Sequence, residues 1–138
     1  MIPDEKAMIA FGRNLAQKLT LPATIELIGD LGAGKTTLVK GLAEALEVVE
    51  SVTSPSFTIV NQYSGRFNGQ PATINHYDFY RLDQPGILSD EISESICQPQ
   101  TLTVVEWGDS VDAMLPQNRI KVIIRHAKGG GREVELIS

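Results

Sequence analysis

Apolar residues recur along the chain with two different periods, and the switches between them mark out its elements. Met8, Phe11, Leu15 and Leu19 fall at helical spacing behind Pro3-Asp4-Glu5, whose acids favour the positive end of a helix dipole; Leu21-Pro22 breaks the pattern. Ala23-Thr24-Ile25-Glu26-Leu27-Ile28 is a short, mostly apolar strand leading into Gly29. Helical spacing returns over residues 36–46, with Leu38, Val39, Leu42, Ala45 and Leu46 on one side. Residues 57–63 and 72–80 read as the strands of a hairpin around a turn-rich stretch, Ser64-Gly65-Arg66-Phe67-Asn68-Gly69. Residues 82–100 hold Pro85, Gly86 and Pro99 and read as a loop with a short helix near 90–96. Residues 102–106 form a buried-type strand ending in a carboxylate, and 119–126 with 133–137 make a last strand pair around Lys128-Gly129-Gly130-Gly131.

This mixture predicts an α/β protein, a partly parallel sheet covered by helices with antiparallel additions. With 138 residues, 42% hydrophobic and 21% charged, and no linker or repeat, the chain reads as one domain over 1–138. Apolar runs such as Val122-Ile123-Ile124 are far too short to span a bilayer, so no membrane partner is expected. The opening Met1-Ile2-Pro3-Asp4-Glu5 lacks the blocks of a signal peptide, and a lone Cys97 makes an intrachain disulfide impossible; the expected location is cytoplasmic. A net charge of −5, with 12 basic residues scattered among 17 acidic ones, argues against a stand-alone nucleic-acid binder.

The chemistry begins with Gly29-Asp30-Leu31-Gly32-Ala33-Gly34-Lys35-Thr36, which matches the phosphate-loop pattern G-x-x-x-x-G-K-[ST]. A chance match in so short a chain is on the order of one per cent or less, and the strand before and helix after lower that further. Gly29, Gly32 and Gly34 let the backbone bend so that successive N–H groups point at phosphate oxygens, and the helix adds its positive end. Lys35 can reach the β and γ phosphates, and the Thr36 hydroxyl suits Mg²⁺. The predicted fold is accordingly a P-loop NTPase-type three-layer sandwich, with a mixed central sheet flanked by helices. ATP and Mg²⁺ are its expected ligands.

Two carboxylates accompany the loop. Glu106 closes the apolar strand, where an acid can hold Mg²⁺ or orient a water. Asp78 shares a strand face with His76 and Tyr80, opposite Tyr77, Phe79 and Arg81, and on pattern alone is balanced between approaching the metal and lying on the hydrated face of an edge strand. Thr53-Ser54-Pro55-Ser56-Phe57 lies where phosphate-loop enzymes contact the γ-phosphate, and is equally a good turn. His126 reads as a strand-end or surface histidine, Cys97 as a packed thiol, and Trp107 as core or interface. Lys35, Asp78 and Glu106 are the catalytic candidates. A small-molecule or nucleoside kinase would use the same loop with Asp78 as base, and a nucleotide-dependent adaptor would bind without much hydrolysis. No arginine-rich lid favours the kinase, and no N-K-x-D sequence marks a GTPase.

Four segments together resemble the TsaE/YjeE-type ATPases of bacterial tRNA threonylcarbamoyladenosine (t6A) synthesis. They are residues 29–37 of the loop, Ser54-Pro55-Ser56-Phe57-Thr58, His76-Tyr77-Asp78-Phe79-Tyr80-Arg81-Leu82 and Val105-Glu106-Trp107, in the family's order and at about its spacing. The resemblance implies a slow, Mg²⁺-dependent ATPase that works with TsaB-like and TsaD-like proteins, the latter transferring the threonylcarbamoyl group, with tRNA met only through that complex. It implies that Leu31, Gly32, Ala33, Gly34, Lys35, Thr36 and Thr37 bind the nucleotide. Thr36 and Glu106 hold the metal, Asp78 assists metal or water, and Glu5 and Arg132 reach the nucleotide. One stretch departs from the family's acidic-apolar helix with its glycine: Ser89-Asp90-Glu91-Ile92-Ser93-Glu94-Ser95.

Overall fold

A computed structural model of the chain describes residues 2–29, 32–50, 52, 60–79, 92–107 and 115–137. Within them the order is α1 (Glu5–Gln17), β1 (Ala23–Ile28), α2 (Lys35–Ala45), β2 (Val60–Phe67), β3 (Gln70–Asp78), β4 (Thr101–Glu106), β5 (Ile120–His126) and β6 (Arg132–Ile137). The strands form one six-stranded sheet in the order β2-β3-β4-β1-β5-β6. β3, β4, β1 and β5 run parallel, and β2 and β6 close the two edges as antiparallel additions. β1 therefore sits mid-sheet with parallel neighbours on both sides. Its carboxyl end opens at the point where the chain turns first to one side and later to the other, the usual place for a ligand crevice in such sheets.

The apolar pattern explains this placement. β4 is buried at every position, as a strand covered on both faces must be. One sheet face, including Ile25, Leu27, Ile74, Leu102 and Val104, meets Met8 and Leu15 of α1 and Leu38, Val39 and Leu42 of α2. Full burial of an aliphatic side chain contributes about 1.5–3 kcal/mol. Leu38, Val39, Leu42 and Leu46 together thus outweigh the ~1 kcal/mol that Gly41 costs a helix interior. The other face carries a smaller cluster of Tyr77, Phe79, Val105, Ile92 and Leu115. It also carries a polar row, Gln62, Asn75, Thr103 and Thr24, paired in register across four strands. Gln62 donates to Asn75 (3.0 Å), and Asn75 donates to Ser95 Oγ (2.7 Å), which pins the helical turn at 92–95 beneath the sheet. Among the described residues, no helix is long and apolar enough to cross a membrane.

α1 begins where the acids predicted it would. Asp4 is its N-cap, accepting from the Ala7 N–H at 2.8 Å. Asp4→Ala is expected to lower stability by about 1 kcal/mol, read as a lower denaturant midpoint with an unchanged slope.

The hairpin differs from its sequence reading. The pairing continues through Ser64–Phe67, and the turn is only Asn68-Gly69, both left-handed (φ 52° and 77°), a two-residue connection that matches strand twist. Gly65 marks a close approach rather than a turn. A Cβ there would lie 1.9 Å from Leu46 O, the carbonyl that accepts from the Arg66 N–H. β3 is interior, not an edge, and His76 on its supposedly hydrated face is fully buried. Cys97 is exposed rather than packed, in the turn between residues 92–95 and β4. His126 ends β5 and is exposed, as expected.

Candidate functional site

β1 delivers the chain to Gly29 at the carboxyl edge of the sheet. A Cβ on Gly29 would come within 2.7 Å of Ile124 O, so the loop can leave this close to β5 only without a side chain. Asp30 and Leu31 lie outside the described residues. Gly32 and Gly34 follow with φ 78° and 109°, left-handed values that L side chains rarely adopt. Gly34 is the N-cap of α2 and supplies no side-chain hydrogen bond, and the first turn of α2 contains no acid. The contrast with α1 is informative: Asp4 caps the amino end of that helix with its side chain, whereas Gly34 offers no side chain to α2, whose positive end suits an anion.

Lys35, the first residue of α2, turns inward and is only 6% exposed. Its Nζ donates to Gly29 O at 2.8 Å, stands 3.6 Å from Glu106 Oε1 and lies 4.3 Å from the centre of the Trp107 ring. Trp107 holds a left-handed φ of 56°, strained for an aromatic residue, at the step where the chain leaves β4. Glu106 is 3% exposed, and its second oxygen is in short contact with Nε2 of His76. Asp78 ends β3 directly opposite Glu106, so the two carboxylates share a face at the ends of neighbouring parallel strands; Asp78 is half-buried. Thr36 and Thr37 are half-buried in the first turn of α2. Among the described residues, the carboxyl ends of β1, β3 and β4 thus bring together an ammonium, two carboxylates, a hydroxyl-bearing first turn and the glycine-capped start of α2.

A cavity of about 300 Å³ adjoins the loop, lined on one side by Gly32, Ala33, Gly34 and Thr37 and on the other by Pro3, Glu5, Met8 and Arg132. Glu5 and Arg132 are far apart in sequence. They meet here because Ile2 pairs with Arg132 through two backbone hydrogen bonds of 2.7 Å. Arg132 does more than line the cavity. Its guanidinium donates to Ala33 O (3.0 Å), Gly32 O (3.3 Å) and Gly131 O (2.8 Å), which ties the glycine loop to the start of β6. The residues 53–57 lie outside the described set. Sequence reasoning passed over the contact of His76 with Glu106 and that of Trp107 with Lys35. The signal for both was position: His76 is one same-face step from Asp78, and Trp107 directly follows Glu106.

The parallel centre, the glycine loop at its mid-sheet crevice and the Lys35–Glu106 pair define a P-loop NTPase-type α/β protein. The crystal structure of YdiB from Bacillus subtilis has this fold, superposing with a TM-score of 0.73 at 29% identity over 95% of this chain and 78% of that one. A family model described as "Threonylcarbamoyl adenosine biosynthesis protein TsaE" matches residues 2–134. The tRNA threonylcarbamoyladenosine biosynthesis protein TsaE of Nostoc sp. is 34% identical, over 98% of this chain and 82% of that protein. The protein of the same name from Bacillus subtilis is also 34% identical, over 96% and 78%. The chain belongs to the TsaE family.

Proposed function

We propose that this protein binds and hydrolyses MgATP in the service of tRNA threonylcarbamoyladenosine formation, working with TsaB-like and TsaD-like proteins in the cytoplasm. The observation that carries the ATPase reading is the buried Lys35–Glu106 pair beside the glycine-capped start of α2. The family supports the pathway. The excess of 17 acidic over 12 basic residues supports contact with tRNA through the partners.

Each residue then has a chemical task. The N–H groups of Gly32 to Thr37 and the end of α2 take up the phosphates, and Lys35 carries positive charge to the β and γ groups. Thr36 and Glu106 offer the hard oxygen donors that suit Mg²⁺, which needs only one or two protein oxygens besides phosphate. Bound there, Mg²⁺ would neutralise charge that develops on the phosphates. Asp78, paired in register with Glu106, orients the attacking water. Arg132 keeps the loop in shape, and with Glu5 it borders the cavity that adjoins it.

The reading is tested by t6A formation under multiple-turnover conditions, with TsaB-like and TsaD-like proteins and with or without this chain. Product is expected to accumulate only when the chain is present, and ATP hydrolysis to rise when the partners are added. Equal product without the chain would sink the proposal. Phosphate delivered to an added nucleoside instead of water would identify a kinase.

A further inference from the structure

His76 is 0% exposed, a fully buried polar ring in an interior strand. It stands opposite Val104 in the β3–β4 register, one same-face step deeper in the sheet than the Asp78–Glu106 pair. From that depth its Nε2 meets Glu106 Oε2, while Lys35 stands on the side of Oε1. Its Nδ1 is buried with no hydrogen-bond partner among the described residues. A group kept only to fill space would be apolar here, because an unpaired buried nitrogen is destabilising. Among the described residues, the ring's hydrogen-bonding capacity is met by Glu106 alone. Against a carboxylate, Nε2 carries the proton and donates.

We propose that His76 is the positioning residue for Glu106. It fixes Oε2 from inside the sheet and so presents Oε1, on the Lys35 side, to the Mg²⁺ of the bound nucleotide. It touches neither nucleotide nor metal. Its role is that of the outer hydrogen-bond partners that orient metal-binding side chains, whose loss commonly weakens metal affinity 10–100-fold. The inference rests on the proposed MgATP site and assigns a task within it that no loop residue performs.

The two amides of suitable size separate positioning from packing. In His76→Gln the side-chain nitrogen falls near the position of Nε2; in His76→Asn it falls near Nδ1, short of Glu106. The quantity to measure, by calorimetry on the full chain, is the ratio of the ATP dissociation constant in excess EDTA to that in saturating Mg²⁺. His76→Asn is expected to lower this ratio about tenfold with binding in EDTA unchanged, and His76→Gln is expected to restore most of it. Equal ratios for wild type, Gln and Asn would overturn the proposal, as would a loss of affinity that is the same with and without Mg²⁺. If the wild type itself binds ATP no better with Mg²⁺ than without, the MgATP site fails first and the role of His76 falls with it.

Discussion

Lys35→Ala is expected to lower partner-stimulated ATP hydrolysis at least about 100-fold, the usual loss when one preorganised charge-stabilising donor is removed. Lys35→Arg is expected to do almost as badly. The ammonium occupies a site only 6% exposed, bounded by Gly29 O at 2.8 Å, a carboxylate at 3.6 Å and an indole at 4.3 Å. A point charge on a flexible stem fits that space, whereas the planar five-donor fork of arginine does not. Hydrolysis rates for the three proteins, alongside their melting temperatures, decide the matter. If arginine restores the rate, a positive charge anywhere near the loop suffices, and the narrow arrangement around Nζ is not what the chemistry uses.

The glycine loop, its flanking strand and helix, and Glu106 at a strand end were legible because each rests on local sequence. A phosphate loop needs glycines at fixed offsets, and a strand buried on both faces is apolar throughout. The contacts that turn these parts into a site were not legible, because they join residues distant along the chain. Arg132 holds the carbonyls of Gly32 and Ala33 across about a hundred positions, and His76 meets Glu106 thirty positions away. The hairpin turn was misplaced for a related reason: Gly65 and Arg66 look like turn residues until Leu46 O is seen filling the space where a side chain would lie. His76 looked like part of a hydrated face because alternation shows which residues share a side, not whether that side meets water or another layer.

The same limit sets the sign of the last prediction. In an isolated helix, replacing Gly41 with alanine would add stability, by roughly 1 kcal/mol on propensity alone. Here α1 and α2 cross backbone to backbone. A Cβ on Gly41 would lie 2.1 Å from Ile9 O and 2.9 Å from Arg13 N, and one on Gly12 would lie 2.4 Å from Leu38 O. No side-chain rotation relieves contacts with backbone, so the helices must separate. Gly41→Ala is therefore expected to cost about 3 kcal/mol, at the upper end of overpacking effects, and to lower Tm by roughly 10 °C. Lys40→Ala, on the exposed side of α2, should stay within about 0.5 kcal/mol. Separation would also be felt at the site, because α1 carries Glu5 and Met8 into the cavity that α2 borders with Gly34 and Thr37. Thermal denaturation and ATP affinity measured together should show both falling in Gly41→Ala. A Gly41→Ala protein that melts at or above the wild-type temperature would show that the helices do not meet this closely, and that the cavity beside the loop is not shaped by their crossing.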